Sequence, residues 1–157
     1  MAGSLFAGHA IVMQLSYNSH TMVIHSQKEI SKLAKDILKM KPGIIALEGP
    51  LGAGKTTLTK EIAKALGIRE NIISPTYVLE TEYRILNTEH CFVHIDCYRM
   101  ETVDELTRLG IKDRIKHKDI IVVEWADKFP EFFKNYSTTY VTISLGEKEN
   151  ERVVEII

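Results

Sequence analysis

The chain has 157 residues, enough for one domain with a substantial core. A hydrophobic fraction of 45% and a charged fraction of 26% fit an ordinary globular protein, and no apolar run approaches the ~18 residues of a membrane span. A formal net charge of -1 excludes nucleic-acid binding by bulk attraction, while leaving room for a local basic patch.

Residues 1–20 contain no Lys, Arg, Asp or Glu, so the basic start of a secretion leader is missing. We expect residues 1–21 to form a poorly ordered extension and residues 22–157 to form a single domain. Residues 22–24 suit a short first strand. Ser26 and Glu29 have capping-box spacing, and Ile30, Leu33, Ala34, Ile37 and Leu38 follow at helical spacing until Pro42-Gly43. The apolar run 43–48 reads as a buried parallel strand.

Gly49-Pro50-Leu51-Gly52-Ala53-Gly54-Lys55-Thr56 then fits the phosphate-binding P-loop at every fixed position. Its glycines let consecutive N–H groups point at one anion. Lys55 supplies positive charge for the outer phosphates, and Thr56 offers a hydroxyl to magnesium. Leu58, Ile62, Ala65 and Leu66 predict a helix behind the loop, with Gly67 as its left-handed cap. The helix N-terminus adds partial positive charge under the phosphates.

Ser74-Pro75-Thr76-Tyr77 predicts a turn. Residues 78–86 and 90–96 read as a hairpin with its tip at 87–89. Thr102 and Glu105 form a second capping box ahead of a short helix ending at Gly110. Residues 120–124 read as a buried strand. Residues 140–145 and 152–157 read as a closing strand pair across a charged turn. The expected fold is therefore α/β: a P-loop NTPase-like three-layer domain whose mixed sheet has a parallel core and antiparallel additions. Cys91 and Cys97 stand roughly 20 Å apart on one predicted strand, beyond disulfide reach, and do not form a C-x-x-C pair. Buried neutral thiols in a cytoplasmic protein are expected.

A P-loop needs a carboxylate near the metal, and two strand ends supply one. Asp96 ends a strand on the same face as His94; Glu124 ends the apolar run 120–123. Ligands of open α/β sheets sit at the carboxyl ends of strands, so both are placed to converge on the loop. Spacing leaves open which binds magnesium and which orients the attacking water. A metal pair of His94 with Asp96 lacks further spaced ligands. Trp125 either packs the core or flanks the nucleotide or a partner, and Arg99 either reaches a phosphate or forms an ion pair.

Five segments together resemble the TsaE family, the small P-loop ATPases of tRNA threonylcarbamoyladenosine synthesis. They are 49–57 (GPLGAGKTT, ending in Thr57), 74–77 (SPTY), 94–99 (HIDCYR), 104–113 (DELTRLGIKD) and 124–125 (EW). The resemblance runs from about residue 22 to the C-terminus. It implies a magnesium-dependent ATPase that works with TsaB and TsaD, meets tRNA only through that complex, and does not itself transfer the threonylcarbamoyl group. It further implies that Thr56 and Glu124 hold magnesium, that Lys55 and the loop through Thr57 hold the phosphates, and that Asp96 is essential for hydrolysis. Thr76 would lie near the γ-phosphate, and Ser26 and Arg152 near the adenine. With no arginine-rich lid evident, low intrinsic turnover raised by partners is expected. A small-molecule kinase, with Arg108 and Arg114 as lid arginines, and a non-catalytic nucleotide-dependent binding module are the alternatives. A GTPase lacks its N-K-x-D base-reading motif.

Overall fold

The computed structural model describes residues 19–157, so the extension expected over 1–21 lies, up to residue 18, outside the described residues. Seven strands form one sheet in the order β1-β7-β6-β2-β5-β4-β3. The strands are β1 (His20–Ile24), β2 (Ile44–Glu48), β3 (Glu80–Arg84), β4 (Cys91–Asp96), β5 (Ile120–Glu124), β6 (Thr138–Leu145) and β7 (Arg152–Ile156). Strands β6, β2, β5 and β4 run parallel; β3 is antiparallel at one edge and β7 with β1 at the other. The parallel core with antiparallel additions is thus as expected.

Side-chain alternation builds the layers. Ile45 and Leu47 of β2 and Val122 of β5 pack with Leu33, Ile37, Leu58 and Ile62 of helices α1 (Gln27–Lys39) and α2 (Lys55–Ala65). Ile44, Ala46, Ile121 and Val123 point the other way, against Leu106 of α3 (Val103–Arg108), Ile111 of α4 (Ile111–Lys116) and Phe133 of α5 (Pro130–Phe133). Each such fully buried Leu or Ile contributes roughly 1.5–3 kcal/mol, so a one-residue register slip in β2 would forfeit several.

Local signals behave mostly as read. Glu105 accepts from Thr102 N–H at 2.9 Å, closing the second capping box. At the first, Ser26 accepts from Glu29 N–H at 3.4 Å, but Glu29 turns to the N–H of His25 at 2.7 Å, one residue short of a closed box. The strand expected over 78–86 is only Glu80–Arg84, because Val78 and Leu79 both turn back to the Pro75 carbonyl. Helices α4 and α5 and a 3-10 turn at Ala126–Lys128 were not anticipated. At the N-terminal ends of β4 and β5, buried Asp119 accepts from Cys91 N–H at 2.9 Å and from His117 Nδ1 at 2.7 Å, tying the two strand starts together. Both cysteines are free, Cys97 buried and Cys91 half-buried. Among the described residues, no helix is long and apolar enough to cross a membrane.

Candidate functional site

The P-loop leaves β2 at Glu48 and enters α2 at Lys55. Gly49 is required sterically: a Cβ there would stand 2.1 Å from the Ile143 carbonyl oxygen, at φ 139°. Gly54 opens α2 in a left-handed conformation, φ 108°. The loop therefore wraps the start of the helix, where unpaired N–H groups and the helix dipole favour an anion.

Strand register brings the two carboxylates to this point. Asp96 of β4 and Glu124 of β5 are cross-strand partners at the carboxyl ends of parallel strands, and Glu124 also pairs with Leu47 of β2. Both are buried. Each holds a different set of groups. Glu124 Oε2 accepts from Thr56 Oγ1 at 2.8 Å, while its Oε1 accepts from His94 Nε2 at 2.8 Å. Thr59 Oγ1 lies 2.9 Å from the Lys55 carbonyl and 3.2 Å from Glu124 Oε1, its one proton shared between two acceptors. Asp96 Oδ2 accepts from Ser74 Oγ and Thr76 Oγ1, each at 2.8 Å, and Oδ1 accepts from Tyr98 N–H at 2.8 Å. Asp96 thus fastens the 74–77 turn to the sheet. His94 and Asp96, weighed together as a metal pair, engage separate partners.

Lys55 is folded onto its own loop. Its Nζ donates to the Gly49 and Pro50 carbonyls at 2.6 and 2.9 Å and sits 3.7 Å from the centre of the Trp125 ring. Burial pushes the Lys55 ammonium below its ordinary range, and the nearby Glu124, Asp127 and Asp96 charges oppose that shift. Trp125 adopts φ 59°, uncommon for a residue with a side chain, and its ring also meets Tyr98 at 5.0 Å. Beside the loop, Glu48 is held above the usual carboxylate range by burial and by Asp127, with the Thr142 hydroxyl pulling the other way.

These groups line a cleft of about 430 Å³ that holds Leu51, Thr57, Thr76 and Trp125 together with Lys55, Thr56, Asp96 and Glu124. A second cleft, about 230 Å³, adjoins the other side of the loop and is lined by Ser26, Arg152, Gly52, Ala53 and Asn150 among others. Arg152 donates to the Ala53 carbonyl at 2.9 Å, which ties β7 to the P-loop. The site residues expected from the sequence divide between the two clefts: Leu51, Lys55, Thr56, Thr76, Asp96, Glu124 and Trp125 line the first, Ser26, Ala53 and Arg152 the second, and Gly52, Gly54 and Thr57 border both, while Gly49 and Pro50 line neither. Arg99 forms no ion pair among the described residues; its guanidinium stacks 4.3 Å from the Tyr77 ring. Arg114 is clamped by Glu80 at 2.5 Å and Glu82 at 2.7 Å.

Sequence reasoning missed Thr59, Ser74 and Tyr98, as well as the bond from His94 to Glu124. Thr59 had a legible signal, standing three residues after Thr56 and four after Lys55 on one helix face. The His94 bond had none, because it crosses between strands 30 residues apart.

The arrangement offers backbone donors and a cation for phosphates, a hydroxyl and a carboxylate oxygen meeting at one point, and a second carboxylate coupled to a turn. Comparison with known proteins accords with it. The Haemophilus influenzae tRNA threonylcarbamoyladenosine biosynthesis protein TsaE is 39% identical over 100 residues, 62% of this chain and 62% of that protein. Its Bacillus subtilis counterpart is 38% identical over 125 residues, 79% of this chain and 75% of that one. The crystal structure of Bacillus subtilis YdiB superposes with a TM-score of 0.63 at 27% identity, covering 88% of this chain and 84% of that one. A family model described as threonylcarbamoyl adenosine biosynthesis protein TsaE matches residues 24–154, and the chain belongs to that family.

Proposed function

We propose that this protein binds ATP with magnesium and hydrolyses it slowly, as a cytoplasmic subunit that works with TsaB and TsaD in threonylcarbamoyladenosine synthesis. In this reading residues 22–157 act as one ATPase domain, tRNA is met only through the complex, and the group transfer is not performed by this chain. The observation that carries the reading is the meeting of Asp96 and Glu124, register partners, at the mouth of a complete P-loop.

The residues fit a magnesium ion. Thr56 Oγ1 and Glu124 Oε2 are hard oxygen donors 2.8 Å apart, the donor chemistry magnesium takes alongside phosphate oxygens. When bound, the ion offsets negative charge on the phosphates. The loop from Gly49 to Thr57 cradles the triphosphate with its N–H groups. Lys55 exchanges the neutral carbonyls of Gly49 and Pro50 for phosphate oxygens, which make stronger charge-assisted bonds. Trp125 flanks the site, its ring 3.7 Å from the Lys55 ammonium. Asp96 accepts a proton-bearing bond from the attacking water and orients it, and Thr76, held by Asp96, reports to the γ-phosphate side. Ser26 and Arg152 border the subsite for the base.

A kinase is disfavoured by the Arg114 clamp, which removes one of its two lid candidates. The test is phosphate release with and without purified TsaB and TsaD, with Lys55→Ala as control. Slow release that rises several-fold or more with the partners, and vanishes in Lys55→Ala, is expected. Full turnover of the free protein unaffected by partners, or a phosphorylated acceptor in place of free phosphate, refutes the proposal.

A further inference from the structure

His94 is fully buried, yet it is a polar residue only half provided for. Its Nε2 faces Glu124 Oε1 at 2.8 Å. Its Nδ1 is buried and has no hydrogen-bond partner among the described residues. A carboxylate only accepts, so Nε2–H donates this bond, while Nδ1 is left without a partner. An unpaired buried ring nitrogen weighs against the fold, and an apolar side chain of similar shape would avoid it. Packing alone therefore does not explain a histidine here. The Nε2–H bond does.

That bond acts with Thr59, whose hydroxyl also reaches Glu124 Oε1 at 3.2 Å. Both come from the buried side of the carboxylate: Thr59 is on the inner face of α2, and His94 lies between Phe92 and Asp96 on the α1/α2 face of β4. With Oε1 so engaged, Oε2 is the oxygen left beside Thr56 and the cleft.

The geometry points to His94 as a positioning residue that aims one oxygen of Glu124, Oε2, at the magnesium of the bound nucleotide. This rests on the proposed function, since it assigns that metal's carboxylate an orienting partner. Ligand carboxylates held by a hydrogen-bonded neighbour lose roughly 10–100-fold in metal affinity when the neighbour is removed.

The test compares two amides of different reach. In His94→Gln the side-chain N–H₂ extends to about the place of Nε2; in His94→Asn it stops near Nδ1. Nucleotide binding is followed by calorimetry, in EDTA and at stepped magnesium concentrations, after circular dichroism has checked the fold. His94→Asn should need about 10-fold more magnesium or above to tighten ATP binding. His94→Gln should stay near wild type, and binding in EDTA should be unchanged in both. Equal magnesium dependence for wild type and His94→Asn overturns the inference, as does equal impairment of the two variants. If neither variant folds, His94 is a packing residue and the inference fails. Wild type without magnesium-dependent nucleotide binding overturns the functional proposal itself, and this inference with it.

Discussion

Two buried carboxylates sit side by side in register and serve different neighbours. Glu124 is bound to helix α2 through Thr56 and Thr59, whereas Asp96 is bound to the 74–77 turn and to Tyr98 N–H. In the proposed function this asymmetry makes Glu124 the metal-side carboxylate and Asp96 the water-side one. Asp96→Asn keeps the shape and one acceptor oxygen but loses the charge, so hydrolysis should fall by about 10²-fold or more with nucleotide affinity retained. Phosphate release paired with calorimetry checks this, and undiminished hydrolysis counts against it. A second residue-scale effect comes from Cys97. Burial, aided by the Asp96 charge, pushes its thiol from about 9 up to about 12. Above pH 9 the unfolded thiol ionises while the folded one stays neutral, so the unfolded chain gains relative stability as pH rises through that window. Urea unfolding between pH 8 and 10 should show wild type losing stability more steeply than Cys97→Ala, by up to about 1.4 kcal/mol per pH unit. Parallel profiles would contradict the assignment.

At the scale of elements, helix α2 shows how local grammar is enforced. Ile68 N–H returns to the Ala63 carbonyl and Gly67 N–H to that of Lys64, each within 3.1 Å, with Gly67 at φ 81°. This double closure satisfies carbonyls that the helix end leaves free. A Cβ on Gly67 would meet nothing within 4 Å, so Gly67→Ala isolates the backbone cost. The expected loss is about 1 kcal/mol in urea unfolding, with ATP binding unchanged. The shorter elements obey weaker grammar. Helix α4 is six residues and α5 four, too short to display a helical period, and α4 carries alternating charge that reads equally as a loop. They form because Ile111 and Phe133 find a waiting apolar face on the sheet. Similarly, Val78 and Leu79 have strand composition but are taken by the turn after Pro75, whose carbonyl accepts both N–H groups.

At the scale of the molecule, the edge hairpin that carries the 74–77 turn is stapled to the far helix layer. Arg114 of α4 reaches Glu80 and Glu82 on β3 and stands 3.8 Å from Asp119. Burial raises Glu80 above the usual carboxylate range, with the Arg114 charge opposing, so the pair depends on the guanidinium. Arg114→Leu leaves partly buried carboxylates unpaired and should cost about 2 kcal/mol, discounted from the fully buried case because the cluster is some 20% exposed at Arg114. Thermal or urea unfolding measures it, and a neutral substitution would show that the staple is ornamental. Loss of partner-stimulated hydrolysis in excess of the stability loss would link β3 to the turn held by Asp96.

The P-loop, its flanking strand and helix, and the carboxylates at positions 96 and 124 were legible because each depends on chain neighbours a few residues away. Glycines, a lysine and a hydroxyl at set spacing dictate an anion cradle in any P-loop context, and alternating or continuous apolar runs dictate strands. Beyond the β3–β4 hairpin and the β6–β7 pair, the strand order was not legible: nothing local says that β6 lies beside β2 or that β5 lies between β2 and β4, since that choice is made by which faces bury the most surface together. Nor was the share-out of partners at the site, with His94 and Thr59 on Glu124 and with Ser74, Thr76 and Tyr98 on Asp96. Those contacts join residues that register and helix packing bring together, and a hydrogen bond's partner is set by position in space, which only the assembled sheet and helices provide.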